Sequence, residues 1–188
     1  NDCSMSWNIL SYGKTITASS SLTGYEPTKA NDEKIETWWA AASGKPGEWL
    51  QTDLGKPMTV NAIQINFADH NFTMKAPETY PYQYIIECSN DGTDWETIVD
   101  RTSNNKDMAH ELIVLDSPQD TRYIRIKNTK DVPGNFSLYD LRIFGNGQGK
   151  LPEKIPDIRI ERDTGDRRII RLNWDKTSDT NGYILRWG

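Results

Sequence analysis

Tyr84 to Trp95 reads YIIECSNDGTDW, and its two halves demand different backbones. The first half closes a segment, Tyr82 to Ser89, in which apolar and polar residues alternate with the period of a half-buried strand. Asn90, Asp91 and Gly92 follow, residue types that accept the positive φ of a tight hairpin, and Glu96 to Val99 supplies a returning strand. The pattern recurs on both sides of this hairpin, at Glu48 to Asp53, Thr59 to Phe67, Glu111 to Leu115, Tyr123 to Ile126 and Leu138 to Phe144. No stretch sustains a helical period. Many short strands separated by turn chemistry predict an all-β sandwich or jelly roll.

The 188 residues suffice for one full domain and part of another. Seven Trp and eight Tyr outnumber four Phe, so the aromatics are mostly amphipathic and suit both cores and wet binding surfaces. A net charge of -5, with no Lys or Arg run longer than two, argues against a protein that reads nucleic-acid backbones and disfavours an anionic membrane. No apolar run is long enough to span a bilayer, and NDCSMSW lacks the basic-then-apolar order of a secretion signal. Without an initiator Met, the chain is expected to be a piece of a larger or processed protein. Cys3 and Cys88 stand alone, without a CxxC or a zinc-spaced His. Cys88 lies mid-strand where a small apolar residue belongs; this favours a free thiol and leaves pairing with Cys3 open.

Asn146 to Pro156, NGQGKLPEKIP, combines Gly, Pro and charge after an apolar strand and reads as a linker. The predicted organisation is an extension over 1–7, a sandwich over 8–145, the linker over 146–156 and a second module over 157–188. In that module Asp157 to Asp163, Arg168 to Trp174 and Tyr183 to Trp187 are strand candidates. Its 32 residues fall short of the roughly 100 that a β-sandwich of this kind needs, so the module is expected to be partial. Ala68 to Pro81, ADHNFTMKAPETYP, is a long aromatic connection; loops beyond roughly 12 residues are usually functional or disordered.

Ala30 to Trp39 reads ANDEKIETWW. Asp carboxylates, Thr hydroxyls and loop carbonyls are hard oxygen donors of the kind Ca²⁺ gathers, roughly six to eight at a time. With KTITASSS upstream, GEWLQTDLG at Gly47 to Gly55, the YIIECSNDGTDW hairpin, RYIRI at Arg122 to Ile126 and SLYDLRIFG at Ser137 to Gly145, the region resembles the factor V/VIII C-type, or discoidin, family, which includes carbohydrate-binding module family 32. The fold this implies is a galactose-binding-like β-sandwich of jelly-roll topology. Finer details, FADHNF, VDRTSNNKDMAH and FGNGQGKLP running into ERDTGDRR and GYILRWG, resemble the C-terminal region of bacterial family 43-type glycoside hydrolases, where a fibronectin type III-like module follows.

The resemblance implies a structural calcium held by the Lys29 or Ala30 carbonyl, the Asp32 carboxylate, the Lys34 carbonyl, Thr37 and the Asp140 carboxylate. Glu33 departs from the family, which usually has Gly there. A left-handed turn at Glu33 is expected to cost about 1 kcal/mol or more. Trp39 and Trp49 are expected in the core and Trp38, one residue out of phase, at the surface. A sugar site needs a flat apolar face beside amide, imidazole or carboxylate groups. In the family the site lies on the loops nearest the metal, and here those loops offer Tyr25, Trp38, His70, Phe72, Tyr80, Asn105, His110, Asn135 and Phe136. For the two histidines the structural reading, a ring tying a loop to a neighbour, is favoured.

Catalysis finds little support. No paired carboxylates with distinct settings, no GxSxG elbow and no Lys-Ser or Lys-Thr after Gly145, Gly147 and Gly149 are present. The sequons at Asn71 and Asn135 carry no meaning in a bacterial protein. The expected function is a non-catalytic, calcium-stabilised carbohydrate-binding module of a secreted, periplasmic or cell-surface glycoside hydrolase, its partners a glycan and the catalytic domain of the same chain. Bracing that domain without binding sugar, or adhesion through Phe72 and Met74, are the rivals.

Overall fold

The computed structural model describes residues 7–73, 79–146, 157–166 and 168–175. The chain divides into two compact units, Asn1–Gln148 and Gly149–Gly188. In the first, short strands β1 (Asn8–Ile9), β2 (Thr15–Ala18) and β3 (Trp39–Ala40) precede β4 (Trp49–Phe67), β5 (Tyr84–Ser89), β6 (Glu96–Asp100), β7 (His110–Asn128) and β8 (Ser137–Asn146). All pair antiparallel, in the order β1-β8-β4-β7-β5-β6, with β2 added to β4 and β3 to β8. Among the described residues the only helix is a 3₁₀ turn at Pro27–Ala30, entered by a proline with preset φ.

The sandwich arises because two 19-residue strands belong to both of its layers. Trp49 to Asp53 of β4 lies between β2 and the Tyr123 to Lys127 half of β7. Past Gly55, at φ +86°, and a register shift at Val60/Ala62, the rest of β4 lies between β8 and the His110 to Val114 half of β7. Irregularities of this kind let a strand turn a corner from one sheet into the other. The predicted pairs Glu48 to Asp53 with Thr59 to Phe67, and Glu111 to Leu115 with Tyr123 to Ile126, are therefore halves of single strands.

Between the layers, Leu50, Leu54, Ile63, Ile65, Tyr84, Ile86, Ile124, Ile126, Leu138 and Leu141 are fully buried, with Trp39 and Phe136 at the end that carries the loops. Trp39 thus belongs to the core, and its Nε1–H is satisfied by the Ser20 carbonyl at 3.1 Å. Trp49 corrects the sequence expectation: along β4 the buried positions are Leu50, Thr52 and Leu54, so Trp49 faces outward, half-buried, with the Arg125 guanidinium 5.8 Å from its ring. Cys88 is a buried free thiol on β5; Cys3 lies outside the described residues.

The second unit shows β9 (Arg159–Arg162) paired with β10 (Ile170–Asn173), the Asp163 carboxylate accepting from the Gly165 and Asp166 amides to shape the turn. Two of the three predicted strands are thus a hairpin. The third, Tyr183 to Trp187, and the linker apart from Asn146, which ends β8, lie outside the described residues.

Candidate functional site

The loop Asn31 to Thr37 is folded around the Asp32 carboxylate. It accepts the Lys34 amide at 2.9 Å and the Thr37 hydroxyl at 2.9 and 3.0 Å, while Thr37 Oγ1 lies 3.2 Å from the Lys34 carbonyl. Glu33 adopts the left-handed turn, at φ +59°. The structure shows what offsets it: the Arg142 guanidinium on β8 binds both Glu33 carboxylate oxygens, at 2.9 and 3.0 Å. Arg142 also faces Asp140 at 3.4 Å, two residues along the same strand. Burial works against the Arg142 charge, but the hydrogen bond it donates to Glu33 and the two carboxylate charges hold its affinity for the proton above the ordinary value.

The donors expected for calcium thus separate. Asp32, Thr37 and the Lys34 carbonyl are gathered within hydrogen-bond reach and fit a hard cation. Asp140 is buried and already engaged, taking 2.8 Å from Asn66 Nδ2 on one oxygen and Arg142 on the other. Lys29 caps Gly24 through its ammonium and pairs with Glu26 at 3.6 Å, and Ala30 ends the 3₁₀ turn fully buried.

Three of the sugar-site candidates converge beside this loop. Tyr25 and His70 lie 4.3 Å apart between ring centres, Tyr25 and Trp38 5.1 Å, and Trp38 and His70 5.8 Å. Trp38 Nε1 donates to His70 Nδ1 at 3.2 Å, which makes Nδ1 the acceptor and leaves the ring N–H on Nε2, since indole can only donate. Lys29 lies 5.8 Å from the Tyr25 ring. His70 itself is set by its loop: its amide donates to Ser137 Oγ, its carbonyl accepts the Asn135 amide at 2.9 Å, and Gly134 packs so closely that a Cβ there would sit 2.4 Å from that carbonyl. Flanking Asp69 and Asn71 both take positive φ.

Tyr139 completes the cluster, its ring 5.5 Å from Trp38. Strict alternation along Ser137 to Phe144 does not single it out. In the ladder Asn66 pairs with Asp140 and Phe67 with Leu138, so Tyr139 is the extra residue of a β-bulge. Bulges re-aim side chains, and this one turns Tyr139 out beside Asp140 while keeping Leu138 inward.

The other candidates are placed elsewhere. Phe136 is fully buried, edge-on to Trp39, and cannot meet a ligand; its expectation is corrected. Phe72 and Tyr80 are half-buried and pack with Tyr82 against the core, the Tyr80 hydroxyl donating to the Asp131 carbonyl, so they fill space beneath the loops. Burial, and then the Asp69 carboxylate accepting its proton, push the Tyr82 phenol far above its ordinary value. Asn135 ties loops together through the Ala41 carbonyl and Asn71. Asn105 is exposed on the β6–β7 loop, where its neighbour Asn104 makes the anchoring bonds to Tyr82 and Lys106. His110 hydrogen-bonds Asn66 at 3.0 Å, in the same row as Asp140. Met74 lies outside the described residues.

A two-layered antiparallel jelly roll with an aromatic cluster on the loops at one end defines a galactose-binding-like, discoidin class of module. Residues 15–141 match the family model of the F5/8 type C domain, and the chain belongs to that family. Human neuropilin-1 is 30% identical over 185 residues; the match covers 90% of this chain and 20% of neuropilin-1, so the chain spans a fifth of that relative. Among solved structures, chitosan-binding module 1 of a Paenibacillus chitosanase/glucanase is 30% identical with a TM-score of 0.63, over 73% of this chain and 99% of the module. Chitosan-binding module 2 of that enzyme, solved with chitotriose, is 26% identical with a TM-score of 0.62, over 72% and 99%.

Proposed function

We propose that the first unit is a non-catalytic carbohydrate-binding module whose site is the Tyr25, Trp38, His70 and Tyr139 cluster. The observation that carries this reading is the cluster itself: three half-buried rings gathered on loops at the end of the sandwich and a fourth beside them at the β8 bulge, with an oriented imidazole among them. Half-exposed rings offer flat apolar faces to the C–H face of a pyranose, and His70 Nε2–H and the two phenols supply hydrogen bonds to its hydroxyls. The likeness to chitosan-binding modules supports oligosaccharides of glucosamine as the first ligands to try.

The wider setting belongs to the same proposal: a secreted, periplasmic or surface-attached bacterial glycoside hydrolase, family 43-type, with a fibronectin type III-like module over 157–188. A tethered module of this kind raises the effective concentration of its enzyme at a polysaccharide even when each site binds weakly. A structural calcium fits the Asp32, Thr37 and Lys34 oxygens, with Lys29 or Ala30 adding a carbonyl; it would brace the loop that ends at Trp38 and take no part in recognition.

A glycan array followed by calorimetry tests the reading. Binding that Trp38→Ala abolishes, with the melting temperature kept, supports it; no binding to any plant, host or microbial glycan at millimolar concentration refutes it. A second reading, a module that braces a neighbouring domain, is favoured by one feature. On the outer face of β1, β8, β4 and β7, Ile9, Leu112 and Val114 are exposed around Phe144, a row of apolar side chains that water does not reward.

A further inference from the structure

A second concavity adjoins the aromatic cluster. Ile35, Asn66, His110, Tyr139 and Asp140 line a mostly apolar cleft of about 210 Å³ on the outer face of β4, β7 and β8. Its polar side is built across three strands, since the ladder sets His110, Asn66 and Asp140 in one row. The Asp140 carboxylate can only accept, so Asn66 must turn its Nδ2 to it, at 2.8 Å. Asn66 Oδ1 is then left to accept from His110 Nδ1 at 3.0 Å, and the imidazole is held with Nε2 as a free acceptor. Ile35, 80% exposed in the turn that Glu33 and Arg142 hold, supplies an aliphatic side chain to the same cleft. Tyr139 belongs to both places: its bulge puts the ring in the cleft while its edge meets Trp38 at 5.5 Å.

We propose that this cleft is a second sugar subsite, which takes the pyranose next to the one stacked on the Trp38 cluster. Ile35 and Tyr139 cover the two faces of that ring, His110 Nε2 accepts from one of its hydroxyls, and Tyr139 is the wall shared between neighbouring residues of one glycan. The inference rests on the carbohydrate reading of the cluster, and it makes the module a reader of chains rather than of terminal monosaccharides.

The test is calorimetric titration of the full chain with glucosamine, chitobiose and chitotriose, in the unsubstituted protein and in Ile35→Ala, His110→Ala and Trp38→Ala. Affinity is expected to rise about tenfold from glucosamine to the longer sugars, as one added hydrogen bond and its apolar contact would give. Ile35→Ala and His110→Ala should remove that gain and leave glucosamine binding as it was, whereas Trp38→Ala removes binding of all three. Ile35 is exposed, so its variant keeps the fold even if His110→Ala does not. Equal affinity for one and two residues, or undiminished chitotriose binding in both cleft variants, overturns the subsite and leaves the primary site standing. No binding of any of the three sugars by the unsubstituted protein overturns both.

Discussion

Arg142→Ala is the most searching perturbation of the loop that carries Trp38. It removes two contacts of different worth. The Glu33 pair is a single Nε–H shared between the two carboxylate oxygens, and that carboxylate remains 28% exposed, so its loss is a partly screened one, about 1 kcal/mol. Asp140 is the larger part, because its side chain is only 6% exposed and would keep Asn66 as its single partner. A carboxylate left short of a partner in such a place costs roughly 1–2 kcal/mol more. The sum, about 2–3 kcal/mol, lowers the melting temperature by roughly 4–12 °C for a domain of this size. Differential scanning calorimetry or urea titration reads it. The mechanism has a second signature: once Arg142 is gone, Glu33 holds a left-handed turn with no compensation, so Glu33→Gly should stabilise the Arg142→Ala protein while destabilising the unsubstituted one. A melting temperature unchanged by Arg142→Ala, or a Glu33→Gly effect of the same sign and size in both backgrounds, would refute the reasoning.

The carboxylates predict the acid limb. Burial opposes the Glu48 charge, but the Ser19, Ser43 and Ser20 hydroxyls outweigh it and hold the group below its ordinary value; the Arg122 fork does the same for Asp53. Depressed in the folded state, both groups contribute stability that is fully present above the unfolded value, about 4, and lost as pH falls through the folded one. The urea midpoint should therefore hold between about pH 7 and 5 and fall below about 4, less steeply in Arg122→Ala; a midpoint that stays constant into the acid range counts against this. Burial, and then the Glu96 charge, push the Cys88 thiol up, so in a Cys3→Ser background it should react with a thiol reagent only after denaturant is added. EGTA should lower the melting temperature and added calcium restore it; a melt indifferent to both would leave Arg142 as the cation that holds the loop.

What the sequence carried, and what it did not, divides along the reach of the interactions. Period-two alternation marked the longer strands β4 to β8, because one buried face imposes it residue by residue, but not the short β1, β2 and β3. It could not show that β4 and β7 each run through two layers, since that depends on partners more than forty residues away. Trp39 and Trp49 show the same limit at closer range: each begins a strand, but only the pairing partner decides which parity faces the core, and for β4 it is Leu50. At the site, Tyr25, Trp38 and His70 were legible as aromatic loop residues in a family pattern, while Phe136, equally aromatic and equally in a loop, fills the core beneath them. Tyr139 did leave a trace. Leu138, Leu141 and Ile143 are spaced three and then two, and a strand that buries all three must bulge between the first pair. The bulge then has a chemical consequence, for it is what sets Tyr139 and Asp140 side by side on the outer face. One inserted residue thereby joins an aromatic cluster on the loops to a polar row on the strands, and makes a single surface of cluster and cleft.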